Sequence, residues 1–228
     1  MSQHIAFLPF PGMTQLDMTG PAQILSRLPG AKVDLVWKAK DPVPTDAGFS
    51  IMPTAVFADV PRADILCIPG GIGVSDVMND DEAMAWVRQV GGSATWVTSV
   101  CTGSLILGAA GLLRGYKATT HWAWHHNLAL FGAEPVKART VFDRNRVTGG
   151  GVTAGIDFAL ALAAAIAGEP VARMLQLAFE YDPAPPFDAG SPEKAGEAAV
   201  TAYQDRIRAM APHREAEMKE AAARLGFC

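Results

Sequence analysis

Three stretches of this chain carry residues able to do covalent or acid–base chemistry. The first is a thiol, Cys101, in "TSVCTGS" (98–104), between the β-branched run "TWVTSV" (95–100) and the apolar "GSLILGAAGLL" (103–113). A cysteine buried for packing needs no hinge around it. A nucleophile on a sharp strand-to-helix turn is held exposed at the top of a sheet, and the N–H of the next residue, here Thr102, points into the same space. The positive end of the following helix dipole favours thiolate over thiol, and Gly103 and Ser104 leave room for a close turn. The second stretch is "CIPGG" (67–71), where Gly70 and Gly71 end a strand as expected for backbone that approaches a ligand. The N–H groups of Gly71 and Thr102 together could stabilise an anion, although a plain tight turn accounts for a glycine pair equally well. The third is "QLDMTGP" (15–21). On spacing alone Asp17 is a helix cap; if it faces Cys101 instead, burial raises its pKa and lets it hold a proton near neutrality.

The other thiols and the histidines read differently. Cys67 lies mid-strand among Ile65, Leu66 and Ile68 and belongs to the core, and Cys228 is a terminal, solvent-exposed passenger. His121, His125 and His126 have a spacing that suggests a metal, yet no carboxylate or thiolate converges on them, and a helix surface explains them. No metal site is expected.

The elements that must position the three stretches follow from periodicity. "HIAFLPF" (4–10), "KVDLVWK" (32–38), "ADILCIPGG" (63–71) and "TWVTSV" (95–100) read as strands. They alternate with helical patterns at 16–28 and 80–90, the latter opened by an Asn79–Glu82 capping box. Nearly apolar strands alternating with helices imply a parallel sheet covered on both faces, with ligands at the carboxyl ends of its strands. Asp17, Gly70–Gly71 and Cys101 all arrive there. Further on, 103–113 and 122–131 read as helices, "RTVFD" and "RVTGG" as a strand pair turning at Asp143, Arg144 and Asn145, and 152–168 and 169–181 as helices. A proline-rich connector (182–192) leads to a helix start at Ser191, Pro192 and Glu193. Residues 193–228 hold twelve charged side chains, evenly split in sign, which predicts a solvated or subunit-contacting amphipathic helix pair.

With 228 residues, 50% apolar and 18% charged, the chain suits one domain with a large core. A net charge of −4 leaves no basic footprint for nucleic acid or an anionic membrane. Three cysteines without a CxxC motif indicate neither a disulfide framework nor a zinc knuckle, so a cytoplasmic location is expected. The N-terminal "MSQHIAFLPFPG" lacks the features of a secretory signal. Residues 89–113 carry no charge, but their glycines, hydroxyls and mid-stretch change of period fit a buried strand, turn and helix better than a membrane span.

Together, "SVCTG", "CIPGG", "QLDMTGP", "ATTHWAWH" and "TGGGVTAGIDFAL" resemble the PfpI-like superfamily, the branch of glutamine-amidotransferase-type folds with a nucleophilic cysteine. The resemblance runs over essentially the whole chain, "APPFDAGSP" and the terminal helices included. It implies a flavodoxin-like three-layer α/β sandwich with a mostly parallel sheet. It also implies one class I glutamine-amidotransferase-like domain over 1–228, with 193–228 as a C-terminal helical extension, and a homodimer. Protease-like members place a histidine after the cysteine where this chain has Thr102, and many members have a glutamate where it has Asp17. Both departures match the branch that hydrates isocyanides to N-formamides. That implies Cys101 as nucleophile forming a thioimidate, Asp17 and Thr102 as its companions, a small apolar isocyanide as substrate, and neither metal nor organic cofactor. A pocket walled by aliphatic side chains suits such a substrate, with Ile72 and Val152 as candidates beside Gly71. Two rivals use the same residues: a redox- or ligand-sensing thiol without turnover, and a glyoxalase-type hydratase of small α-ketoaldehydes.

Overall fold

A computed structural model describes residues 3–224 and Gly226. Seven strands form the central sheet: β1 (Gln3–Phe7), β2 (Ala31–Trp37), β3 (Ala55–Val56), β4 (Ile65–Ile68), β5 (Trp96–Val100), β6 (Thr140–Asp143) and β7 (Arg146–Gly149). They lie in the order β6–β7–β5–β4–β1–β2–β3, and every pair is parallel except β6–β7. This is the mostly parallel α/β sandwich expected. The antiparallel pair turns at Arg144, whose φ of 55° is the left-handed geometry a tight hairpin needs.

The central strands are sealed on both faces. All four residues of β4, Ile65 to Ile68, are buried, and Cys67 among them is 3% exposed. Phe7, Phe10, Phe131 and Phe158 are among the fully buried side chains, each worth roughly 1.5–3 kcal/mol of transfer free energy. The helices around the sheet are α1 (Gln15–Leu25), α2 (Val74–Met78), α3 (Asp81–Ser93), α4 (Gly103–Ala109), α5 (Ala154–Ala167) and α6 (Glu169–Ala178). The uncharged stretch 89–113 resolves into the end of α3, β5 and α4, and among the described residues no helix is long and apolar enough to cross a membrane.

Two local expectations need correction. The cap of α3 is Asp80, whose Oδ1 accepts the Ala83 N–H at 3.0 Å, and not Asn79. Asn79 instead closes α2, donating its N–H to carbonyls of that helix, so the acidic neighbour takes the N-cap, a role worth about 1 kcal/mol. Residues Trp122–Phe131 form 3₁₀ turns rather than an α-helix, opened by His121 and closed by Gly132 at φ 69°.

The chain ends in α7 (Pro192–Ala195), capped in position by Ser191, then α8 (Glu197–Met210) and α9 (Arg214–Arg224). Helix α9 buries Arg214, Met218, Ala221 and Ala222, whereas α8 buries none of its residues. Cys228 lies outside the described residues.

Candidate active site

The turn between β5 and α4 places Cys101 at φ 54°, a left-handed conformation unusual for a side-chain-bearing residue. Such a residue costs on the order of 1–3 kcal/mol and persists only where its surroundings over-determine it. Here they do. The Cys101 N–H donates to the carbonyls of Gly149 (3.0 Å) and Gly150 (2.8 Å). Its own carbonyl accepts the hydroxyls of Thr120 (2.9 Å) and Ser104 (3.2 Å). Gly103 must be glycine for a different reason: a Cβ there would lie 2.2 Å from the Ile68 carbonyl oxygen and 2.7 Å from that of Pro69. The first turn of α4 is thereby pressed against the end of β4.

Asp17 is turned inward. The N-cap position of α1 belongs to Thr14, and Asp17, in the first turn, is 1% exposed. Its Oδ2 accepts the Gly70 N–H at 2.9 Å, while Oδ1 is buried without a conventional partner. The cap reading, favoured by spacing alone, therefore gives way to the inward-facing one. Burial pushes the Asp17 carboxyl up to about 7, against the downward pull of the Gly70 N–H and of a hydrogen bond with the Cys101 thiol.

Sulfur chemistry follows from the same burial. Cys101 is 6% exposed, and its thiol is pushed well above its ordinary value, first by burial and then by the neighbouring Asp17 carboxylate. The N–H and the hydroxyl of Thr102 both hydrogen-bond the sulfur and oppose the rise. The preference for thiolate that the helix dipole supplies is thus outweighed. Helix α4 has only seven residues, and desolvation of the charged form outweighs what one short helix end supplies. The resting pair is a thiol beside a carboxyl group that exchanges its proton near neutrality.

The anion-stabilising pair also needs revision. The Gly71 N–H donates to Thr102 Oγ1 at 3.1 Å and so orients that hydroxyl instead of standing free. Gly70 is pinned in the same corner, since a Cβ there would meet Thr102 N at 2.6 Å and Asp17 Oδ2 at 2.9 Å.

Above the sulfur lies a cavity of about 400 Å³ whose lining includes Cys101, Thr102, Gly71, Ile72 and Val152. All five sequence candidates other than Asp17 are on its wall, and Asp17 sits behind the thiol. Among the lining residues that were not foreseen are His121, Trp124, Tyr203 and Arg214. His121 is not on a helix surface; its Nδ1 accepts the Ala123 N–H at 3.3 Å, and burial, with the nearby Arg214 charge, lowers its pKa to about 4, so the ring is neutral. In the fold it is the N-cap of the 3₁₀ run. Tyr203 and Arg214 bring the charged terminal segment over the cavity, so that segment is neither simply solvated nor only a surface for another subunit. Among the described residues no three histidine, cysteine or acidic side chains converge on one point.

Cys67 contrasts with Cys101. The Thr98 hydroxyl lies 2.9 Å from its sulfur, and burial raises its thiol to about 12, as befits a core residue with no route to solvent.

The profile of the DJ-1/PfpI family matches residues 3–165, a span that holds the cysteine elbow, the glycine pair and the inward carboxyl group. The chain belongs to the DJ-1/PfpI family. Among relatives, an isonitrile hydratase from Pseudomonas putida is 49% identical over 227 residues, covering 100% of both chains. The crystal structure of a ThiJ/PfpI family protein from Pseudomonas syringae superposes with a TM-score of 0.92 at 45% identity, covering 97% of this chain and 91% of that one. The HTH-type transcriptional regulator GbdR of Pseudomonas aeruginosa is 30% identical over 139 residues, 59% of this chain and 37% of the regulator. Within the DJ-1/PfpI family, then, the full-length likeness is to an enzyme, and the likeness to that regulator is partial.

Proposed function

We propose that this chain hydrates isocyanides, R–N≡C plus water giving the N-formamide R–NH–CHO, with Cys101 as nucleophile. The observation that carries this reading is the inward-turned Asp17 carboxyl, 1% exposed and held by the Gly70 N–H in the corner next to Thr102 and the Cys101 elbow, where burial raises its pKa to about 7. Adding S–H across a single carbon requires a group that removes the sulfur proton and returns it to carbon, and Asp17 has the position and the proton affinity to do both. The full-length identity to an isonitrile hydratase supports the same conclusion.

In the first half-reaction Asp17 takes the thiol proton as sulfur bonds to the terminal isocyanide carbon. The proton then passes to that carbon, giving the thioimidate R–N=CH–S–Cys101. Thr102 steadies the sulfur through its hydroxyl and N–H. In the second half-reaction water adds across C=N, its hydroxyl going to carbon and its proton to nitrogen, with Asp17 relaying the proton. The C–S bond of the resulting R–NH–CH(OH)–S–Cys101 breaks as the hydroxyl proton returns to sulfur, releasing the formamide and restoring the thiol. Ile72 and Val152 supply apolar walls for the substituent R, and no step calls on a metal or organic cofactor.

The terminal helices belong to the same working unit in this reading, because Tyr203 and Arg214 complete the cavity. A homodimer fits the apolar face of α6, where Leu177 is 81% and Met174 58% exposed; light scattering with only monomer at micromolar concentration would contradict it.

The deciding assay follows formamide absorbance with an aryl isocyanide, beside Cys101→Ala, Asp17→Ala and a chelator control. Cys101→Ala is expected to lose about 10⁴-fold or more in kcat and Asp17→Ala about 10²-fold or more, with no effect of chelator. Turnover of glyoxals but of no isocyanide would replace the proposal with the α-ketoaldehyde reading, and no turnover with ready Cys101 oxidation would replace it with the sensor.

A further inference from the structure

We propose, resting on the hydratase reading, that Arg214 of α9 is a positioning residue for the reaction: its guanidinium clamps the Gly71–Ile72 backbone that orients Thr102, and sets a buried positive charge beside the thiol–carboxyl pair. Arg214 is 5% exposed, 143 positions from Gly71 in sequence. One terminal nitrogen, Nη2, donates to the carbonyls of both Gly71 and Ile72, each at 2.6 Å. The guanidinium carbon lies 4.9 Å from the centre of the Trp124 ring, within cation–π range.

The consequence for Thr102 is geometric. Gly71 has φ 142°, a conformation that only its surroundings hold. Arg214 fixes its carbonyl, the Ile72 N–H is fixed by the Gly12 carbonyl at 2.9 Å, and the Gly71 N–H is thereby aimed at Thr102 Oγ1. That hydroxyl and the Thr102 N–H hold the sulfur. A turn of the terminal helix thus reaches the nucleophile through two intervening residues, Gly71 and Thr102.

The consequence for charge is electrostatic. Arg214 Nε is buried without a hydrogen-bond partner. A buried guanidinium remains charged and is costly without an opposite charge. The acidic groups that act on it are Cys101, Glu217 on α9 itself and Asp76 of α2, and of these only Cys101 belongs to the pair whose charge changes during the reaction. The titratable or charged groups around the cavity and Arg214 are Asp17 from α1, Asp46 at the rim, Asp76 from α2, His121 from the 3₁₀ run, Tyr203 and Arg206 from α8, and Glu217 from α9. His121 is neutral and Arg206 is exposed to solvent, which leaves Arg214 as the buried cation of the site.

The test uses the full chain with Arg214→Met, Arg214→Gln and Arg214→Lys, each checked for native folding by thermal melt. Two quantities are read: the pH midpoint of iodoacetamide alkylation at Cys101, by mass spectrometry of its peptide, and kcat and KM with an aryl isocyanide. The neutral variants are expected to raise the alkylation midpoint by about one pH unit and to lower kcat about tenfold or more with little change in KM; Arg214→Lys should restore the midpoint. Should Arg214→Met not fold, Arg214→Gln, which keeps a donor for a carbonyl, carries the comparison with Arg214→Lys. A folded neutral variant with the native midpoint and kcat overturns the proposal, as does an Arg214→Lys midpoint shifted as far as that of Arg214→Gln. Failure of the unmutated chain to hydrate any isocyanide overturns the hydratase reading instead, and the alkylation midpoint still decides the role of Arg214.

Discussion

The β5–α4 elbow and the α8–α9 roof meet at one cavity but are built on opposite principles. At the elbow every backbone group of Cys101 is engaged and each residue of α4 is buried. Helix α8 has no buried residue, and Tyr203 and Met210, which face the cavity, are 41% and 56% exposed. Chemistry that depends on a proton's position within fractions of an ångström sits on the rigid part, and the surface that must admit different substituents sits on the loosely packed one. The difference teaches where stability and specificity separate: substitutions at the elbow should affect folding and rate together, and substitutions in α8 should alter which substrate binds.

The sharpest way to break this division is Gly103→Ala. Its Cβ would collide with two backbone carbonyls that cannot rotate away, so a loss of more than about 3 kcal/mol in urea unfolding is expected, together with loss of turnover. A near-native melt would mean that the elbow is softer than its contacts imply.

The next effect is a gain in stability. Asp17 has a folded-state value of about 7 against an ordinary 3.8. Being raised, it contributes fully below about pH 4, and that contribution is lost as pH rises through 7. Asp17→Asn should therefore be the more stable protein at pH 8, by on the order of 2–4 kcal/mol, with the gap closing at pH 4 and with hydration impaired throughout. Parallel melts at the two pH values check the sign.

The smallest effect belongs to the roof. Tyr203 and His121 stand between the cavity and a neighbouring hollow of about 300 Å³ that both also line. Tyr203→Ala should leave the melt within about 0.5 kcal/mol, raise KM severalfold for small isocyanides and improve relative kcat/KM for bulky ones. An unchanged substrate ranking would remove α8 from the specificity surface.

The elbow was readable from letters because its determinants are neighbours in sequence: a β-branched run, a thiol, a hydroxyl, a glycine, then apolar helix. Asp17 and the glycine pair were placed by the general rule that strand carboxyl ends converge. Arg214, Tyr203 and His121 had no comparable local mark. An arginine in a segment with evenly mixed charge looks like any solvated side chain, and only the packing of α9 against α2 and the 3₁₀ run buries it. The protonation state of Cys101 could not be read from letters for a related reason. A helix dipole can be inferred from sequence, whereas the desolvation that outweighs it depends on how completely the neighbouring elements close. The shift of the α3 cap from Asn79 to Asp80 is a competition between adjacent polar residues that only backbone geometry decides.

Gly71 sets a limit on redesign. A methyl group there would fall 2.5 Å from both the Gly12 carbonyl oxygen and Met13 Cα, on a backbone that already has φ 142°. A saturation library spanning residues 70 to 72 should therefore return glycine at 71 among its active members, while position 72, where Ile72 is 42% exposed at the cavity wall, remains free to diversify. Retuning this scaffold for new substrates has to proceed around that one fixed point.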